Sequence, residues 1–228
     1  MPLLSVIIPV YNEAGTLNQI LHKIASVKVD KEIIIVDDGS DDGTVELLKK
    51  VTGPHIKIIY CARNRGKGAA LLTGIAAAGG EFIIPQDADL EYDPQDYVNL
   101  IDHALKNGLA VVYGSRFLKG WRGVTPFWHY AVNRLLTGLT NLLFGCALTD
   151  METCYKLIKR DLLQQLGLRA QRFEIEPEIT AKLLKKGLPI AELPVSYRAR
   201  FYAQGKKIGW RDGVSSLFCL VRLRLACD

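Results

Sequence analysis

Glu81-Phe82-Ile83-Ile84-Pro85-Gln86-Asp87-Ala88-Asp89-Leu90 joins a short apolar run to two carboxylates separated by one small residue. Phe82–Ile84 reads as a strand buried on both faces, which is the pattern of a parallel sheet covered by helices. Asp87 and Asp89 at its end are poor stabilisers: like charges held close repel, and Asp is a weak strand former. A divalent cation resolves the conflict. Mg²⁺ is held by one or two carboxylates and shares its remaining coordination with substrate phosphates. The stretch therefore predicts a phosphate-bearing ligand at the carboxyl end of a buried strand. A capping or turn role is the plainer alternative, but Asp93-Pro94 just downstream is the better cap.

Working outward, the first half alternates strand and helix signals. Strands are predicted over Leu4–Pro9, Glu32–Val36, Ile56–Tyr60, Phe82–Ile84 and Ala110–Tyr113. Helices are predicted over Glu13–Ser26, Thr44–Val51, Gly68–Ala78 and Pro94–Asn107. Continuous β-branched runs alternating with amphipathic helices give an α/β fold with a mostly parallel, Rossmann-like central sheet and flanking helices. Ligands of such sheets bind at the carboxyl ends of the strands. Tyr11-Asn-Glu13, Asp37-Asp-Gly-Ser40, Arg63-Asn-Arg-Gly-Lys67 and Asp87-Ala-Asp89 all fall there, and this co-location weighs more than any one motif. The second half carries a strongly apolar helix over Phe127–Phe144, a helix over Glu176–Lys186, a strand over Ile190–Tyr197 and a final amphipathic helix over Val214–Leu225. The expected organisation is a single domain, with alternating strands and helices over residues 1–115 and a C-terminal extension over 116–228.

Composition narrows the function classes. Of 228 residues, 49% are hydrophobic and 23% charged, enough for a sizeable core and against global disorder. The net charge of +5 suits phosphorylated substrates or anionic lipid. No recognition motif supports nucleic-acid binding. The five cysteines show no Cys-x-x-Cys spacing, so reduced thiols in a cytosolic protein are expected, without a zinc site. Neither a signal peptide nor a run of about 20 apolar residues is visible.

Each motif has a bland alternative. Asp37 and Asp38 follow a buried strand, where one can accept hydrogen bonds from a base or ribose; Ser40 to Asp42 are as readily turn and cap residues. Arg63-Asn-Arg-Gly-Lys67-Gly68 is either a solvated basic loop or a place where backbone approaches a phosphate. It lacks the spacing of a Walker loop. His129, Asn133, Thr137 and Asn141 recur every fourth residue on one face of the apolar helix. With Arg134 and Arg116 they could line an anion pocket, or they could be structural. The rest of that helix suits a core or an interfacial position on a bilayer equally. Arg198, Arg200, Lys206 and Lys207, near Gly205, are either a solvated charge run or part of a loop that closes on phosphates.

Taken together, the chain resembles family-2 glycosyltransferases of the GT-A fold, and within them the dolichyl- and polyprenyl-phosphate sugar synthases. The resemblance rests on Val6-Ile-Ile-Pro-Val-Tyr-Asn-Glu13, Val36-Asp-Asp-Gly-Ser40, Asn64-Arg-Gly-Lys-Gly68, Gln86-Asp-Ala-Asp-Leu90, Gly114-Ser-Arg116, Asp150-Met-Glu-Thr-Cys-Tyr-Lys156 and Gly205-Lys-Lys-Ile208, in family order over nearly the whole chain. It implies that Pro9, Tyr11 and Glu13 with Asp37 hold the nucleoside, and that Lys67 belongs to the nucleotide-sugar site. Asp87 and Asp89 would hold Mg²⁺ or Mn²⁺ on the donor diphosphate. Glu152 falls where this branch often places Gln as a metal ligand. Arg116 and Arg200 would grip phosphates. His129, Asn133, Arg134 and Lys206 would lie near the acceptor phosphate.

The implied reaction is transfer of a sugar, with inversion, from a nucleotide diphosphate sugar (GDP-mannose or a UDP-sugar) to a polyprenyl or dolichyl phosphate. Because the second pKa of a phosphate monoester is about 6, such an acceptor arrives ionised and needs no dedicated base. Two other readings stand beside it. One is a transferase acting on a saccharide hydroxyl, for which Asp150 is the candidate base. The other is a non-catalytic nucleotide-binding subunit. The expected location is cytoplasmic, peripheral at a membrane surface or beside a membrane-anchored partner.

Overall fold

A computed structural model describes residues 1–121, 124–199 and 210–226. Seven strands form one sheet in the order β3-β2-β1-β4-β6-β5-β7. They are β1 (Leu4–Val10), β2 (Lys31–Asp37), β3 (Ile56–Tyr60), β4 (Phe82–Pro85), β5 (Val111–Ser115), β6 (Lys156–Lys159) and β7 (Ala191–Pro194). All neighbours run parallel except β6, which is antiparallel to both β4 and β5.

The helices are α1 (Leu17–Ser26), α2 (Thr44–Leu48), α3 (Lys67–Ala77), α4 (Asp96–Lys106), α5 (Phe127–Phe144), α6 (Arg160–Gln164), α7 (Ile175–Lys185) and α8 (Trp210–Leu225). The period-2 alternation of each strand divides the core in two. Val6, Ile8 and Val10 of β1 pack with Leu17, Ile20 and Ile24 of α1 and Leu100 and Ile101 of α4. Ile7 points the other way, towards Leu71 and Ile75 of α3 and Ile179 and Leu183 of α7. Helix α3 comes close enough that a Cβ on Gly74 would lie 2.3 Å from the Ile7 Cγ2, so the small residues in this helix set its distance from the sheet. A smaller cluster of Leu136, Met151, Ala181 and Leu220 joins α5, α7 and α8 outside the sheet. It is the core of the C-terminal extension.

The sequence reading locates every parallel strand and the main helices, with shifted ends. Helix α1 begins at Leu17 rather than Glu13, because the Glu13 carbonyl accepts from Thr16 and Leu17 and closes a turn first. Helix α8 begins four residues earlier than Val214. Strand β7 is shorter than the Ile190–Tyr197 run, since Tyr197 leaves the sheet edge to bridge Tyr92. Strand β6 and helix α6 were not foreseen. Lys-Leu-Ile-Lys is too short and too charged to announce a central strand, yet it sits between β4 and β5 and binds the two halves of the chain into one sheet.

Being antiparallel, β6 has its first residue, Lys156, opposite Tyr113 near the carboxyl end of β5. The 148–155 loop that feeds it therefore arrives at the face where the parallel strands end.

Candidate active site

Two groups of side chains meet at that face. The first lines a cleft of about 300 Å³ bounded by Pro9 near the end of β1, Tyr11 and Glu13 just after it, Lys67 on α3, and Asp87 and Asp89 after β4. All six are site residues expected from the sequence. The strand ends explain the gathering: β1 lies beside β4 in register, Ile7 against Pro85, so both polar tails leave the sheet together. Gln86 fixes the turn. It is fully buried, accepts from the Tyr155 hydroxyl at 2.6 Å and from the Tyr97 hydroxyl, and donates to the Asp87 carbonyl at 2.9 Å. Leu90 then takes a left-handed conformation, φ 65°, uncommon outside glycine and Asn/Asp, while the Asp89 carboxylate accepts from the Glu91 N–H.

The two acids after β2 divide their work. Asp37 is buried; its Oδ2 accepts from the backbone of Gly39 and Ser40, and its Oδ1 has no hydrogen-bond partner. Asp38, not Asp37, lines the cleft. Its carboxylate accepts from the backbone N–H of Arg65 and Gly66, at 3.0 and 2.7 Å, and so shapes the glycine loop. Gly66 has φ 100°, and a Cβ there would come 2.6 Å from the Gln171 carbonyl; one on Gly68 would come 2.4 Å from that of Ala170. These close approaches let the segment before α7 close over the loop, and it brings Arg172 and Phe173 into the cleft. Sequence reasoning missed both. Arg172 lies beyond the family motifs, and only the glycine spacing hinted that another backbone would pack there.

Beneath the cleft runs a chain of buried charges. Lys67 Nζ lies 2.7 and 3.0 Å from the two Asp87 oxygens and 3.4 Å from Glu176 Oε1. Lys156 Nζ donates to the other Glu176 oxygen at 2.7 Å and to the carbonyls of Met151 and Thr153. Burial opposes the charge on Lys67, but Asp87 and Glu176 outweigh it and hold its pKa well above the ordinary value. Glu176 Oε1 is within ion-pair distance of Lys67 yet makes no hydrogen bond.

The second group surrounds Arg116. Its guanidinium donates to Asp150 from Nε at 2.7 Å and from Nη2 at 2.6 Å, and the Arg116 N–H donates to the same carboxylate at 2.9 Å. Nη2 also donates to Asn133 Oδ1 at 3.2 Å. The guanidinium lies 5.2 Å from the Tyr197 ring centre, and the Tyr197 hydroxyl donates to Glu91 at the cleft rim. Asp150 is fully buried, and its own N–H donates to Glu192.

The polar face of α5 pins the loop that carries Asp150. Asn133 reaches Arg116, Thr137 Oγ1 accepts from the Met151 N–H, and Asn141 both donates to and accepts from the Leu148 backbone. His129 contributes its carbonyl to Asn133. Exposed Arg134 reaches the Thr149 carbonyl at 3.5 Å. Arg200, Lys206 and Lys207 lie outside the described residues.

Glu152 sits between the groups. Its carboxyl is buried, with Oε1 unpartnered, and feels Lys156, Glu176, Arg116 and Asp150. Burial is the main cause of its pKa rising to about 7, with Lys156 opposing. Among the described residues no three His, Cys, Asp or Glu side chains are arranged to hold one metal ion. The shell of Asp87, Asp89 and Glu152 expected from the resemblance is therefore not assembled: the Glu152 carboxyl lies instead under the influence of Lys156, Glu176, Arg116 and Asp150. Asp87 and Asp89 alone still suit a divalent cation. They open on a cleft able to admit phosphate oxygens, and the Lys67 ammonium already places a positive charge on Asp87.

The glycosyl transferase family 2 sequence pattern matches residues 5–167, most of the chain. The chain belongs to glycosyl transferase family 2. Among curated relatives, it is 28% identical over 211 residues to a dolichol-phosphate mannosyltransferase of Pyrococcus furiosus, covering 90% of this chain and 59% of that one. It is 27% identical to a dodecaprenyl-phosphate galacturonate synthase of Rhizobium johnstonii, over 89% of this chain and 61% of the relative. A polyprenol monophosphomannose synthase of Mycolicibacterium smegmatis is 26% identical, over 90% and 80%. The chain thus spans about three fifths of the length of the first two. A solved structure of glucosyl-3-phosphoglycerate synthase from Mycobacterium tuberculosis with UDP superposes with a TM-score of 0.75 at 21% identity, covering all of this chain and 82% of that one. Others of the same enzyme hold Mn²⁺ or Mg²⁺ with UDP. This likeness places the family-2 chain in the GT-A fold.

Proposed function

We propose that this chain is an inverting glycosyltransferase that moves a sugar from a nucleotide diphosphate sugar to a polyprenyl phosphate. The observation that carries the reading is the juxtaposition of two anion-binding regions at one sheet face: the cleft with Asp87, Asp89, Lys67 and Arg172, and beside it Arg116, oriented by Asp150. The relatives named for polyprenyl and dodecaprenyl phosphates support the acceptor class.

In this reading Pro9, Tyr11, Glu13 and Asp38 bound the nucleoside, with Asp37 holding the turn behind them. Asp87 and Asp89 would hold Mg²⁺ or Mn²⁺, which would supply charge neutralisation for the departing diphosphate. Lys67 and Arg172 complete the positive surround of that diphosphate, preorganised where charge develops. Arg116 faces the acceptor phosphate, helped by Arg134 and by His129 and Asn133 on α5; Arg200 and Lys206 are assigned there on sequence alone. The acceptor oxygen attacks the anomeric carbon as the bond to the diphosphate breaks. No proton has to leave, so no base is required. The acceptor places the reaction at a membrane surface, with the chain peripheral or beside a membrane-anchored partner.

Asp150 argues against the saccharide-hydroxyl reading. Its carboxylate is fully buried and already receives three N–H donors from Arg116, so its oxygens are committed to that pair rather than open to a substrate hydroxyl. The decisive experiment offers the purified protein a panel of GDP- and UDP-sugars with either a polyprenyl phosphate or free saccharides, with Mg²⁺, Mn²⁺ or chelator. Metal-dependent product on the lipid phosphate is expected. Transfer to saccharides alone would overturn the reading, and nucleotide binding without turnover on any acceptor would favour a non-catalytic subunit.

A further inference from the structure

The buried charge chain beneath the cleft carries one unfilled position. Glu176 stands in the first turn of α7, with its side chain 4% exposed. Its Oε2 accepts from Lys156 Nζ at 2.7 Å. Its Oε1 accepts no hydrogen bond, although a buried carboxylate oxygen without a donor is costly. Lys156 has none to spare. An ammonium has three N–H donors, and those of Lys156 go to Oε2 and to the carbonyls of Met151 and Thr153. Lys67 Nζ, on the facing end of α3, lies 3.4 Å from Oε1.

Lys67 is engaged elsewhere. Its Nζ lies 2.7 Å from one Asp87 oxygen and 3.0 Å from the other. Asp87 is also one of the two acids that suit a divalent cation, and it opens on the cleft. An ammonium and a divalent cation compete for one carboxylate, because both seek the same oxygens and like charges repel. Lys67 has a flexible stem and a point charge at its head, so it changes partners without losing a fixed fork geometry. Displaced into a buried setting with no counter-charge, it would oppose cation binding. Glu176 removes that penalty. Closing from 3.4 Å to an ordinary N–H···O distance of about 2.9 Å would give Oε1 the donor it lacks.

We propose that Glu176 is the receiving partner of Lys67: when Asp87 takes a divalent cation, the Lys67 ammonium leaves the Asp87 carboxylate and closes on Glu176 Oε1. Glu176 touches neither cation nor substrate in this arrangement. It is a positioning residue that acts through Lys67. The positive charge of Lys67 is moved and not lost, so the cleft gains the charge of the cation without giving up that of the ammonium. The inference rests on the reading of Asp87 and Asp89 as a cation site, and it adds where the resident ammonium goes.

The test is titration of the full chain with Mn²⁺ alone, without nucleotide, the bound ion being read from loss of the free-ion EPR signal. The wild type is expected to bind, and Asp89→Ala to lose binding. Lys67→Met should bind about tenfold tighter, since the competing ammonium is gone. Glu176→Gln should bind about tenfold weaker, since Lys67 then has only Asp87 to hold. In the Lys67→Met background, the same Glu176→Gln change should shift affinity by less than about twofold, a coupling that a merely structural Glu176 would not show. Circular dichroism and Tm accompany each variant. If Glu176→Gln does not fold, Glu176→Asp keeps a charge beside Lys156, shortens the reach to Lys67 and should weaken binding in the same direction. Equal effects of the Glu176 change with and without Lys67, or no gain of affinity in Lys67→Met, would overturn the inference and leave the cation site standing. Mn²⁺ bound by neither the wild type nor Lys67→Met would overturn both.

Discussion

The donor cleft and the Arg116 cluster use the same chemistry, carboxylates beside cations, to opposite ends. In the cleft, the Asp87 side chain retains 25% exposure and meets Lys67, an ammonium able to change partners. In the cluster, Asp150 has no exposure and holds a planar guanidinium through two side-chain bonds and one backbone bond. A point charge on a flexible stem can be exchanged for a ligand; a forked pair locked from three directions fixes geometry. Charges at the cleft are arranged to be replaced on binding, and those around Arg116 to stay.

If that contrast is right, Asp150→Asn should be the most damaging change. It leaves a buried guanidinium uncompensated, and stability in urea should fall by about 3–5 kcal/mol. Loss of less than about 1 kcal/mol, within the range of a surface pair, would erase the contrast. Asp89→Ala should behave in the opposite way. Unfolding should be nearly unchanged, while divalent-cation binding disappears and transfer falls by about 10²–10³-fold, as for loss of one group that stabilises developing charge.

Glu152, between the two regions, sharpens the comparison through pH. Its folded pKa of about 7 lies above the ordinary carboxylate value of 4.5. Folded protein therefore keeps a proton that unfolded chain releases between those values, and stability falls as pH rises through the window. Measured without divalent cations, Glu152→Gln should flatten that slope, recovering about 3 kcal/mol near pH 8. An unchanged slope would mean that the carboxyl is not held in this buried setting. Arg172→Ala should have the smallest effect: donor affinity weaker by about tenfold, the scale of one hydrogen bond to a charged group, with little change in stability. Unaltered donor binding would remove Arg172 from the cleft's function.

The parallel part of the fold was legible because burial on both faces writes continuous runs such as Val6-Ile-Ile8 and Ile33-Ile-Ile-Val36, and because those runs end in polar tails. Tyr11, Glu13, Lys67, Asp87 and Asp89 could be placed together because their clusters follow predicted strands, and Pro9 joined them through the family resemblance. What escaped depends on contacts distant in sequence. Strand β6 needs its neighbours to be a strand. The exchange of roles between Asp37 and Asp38 is decided by which carboxylate faces the Arg65–Gly66 backbone. Glu152 lies in a buried setting with Lys156, Glu176, Arg116 and Asp150 around it, residues that no local pattern links together. The polar face of α5 was visible as a spacing, but its use as a support for the 148–151 loop depends on where that loop returns.

That support has a mechanical consequence. Asn133, Thr137 and Asn141 form rungs one helical turn apart, each bonded to a different place on the Arg116 region or its loop. A one-residue screw shift of α5, about 1.5 Å along its axis with a turn of about 100°, would swing every rung away and break all three at once. The helix can therefore rock with its loop as one stiff body but cannot creep past it. A force applied to its outer side would reach the Arg116–Asp150 pair as a rotation, undiminished by slippage.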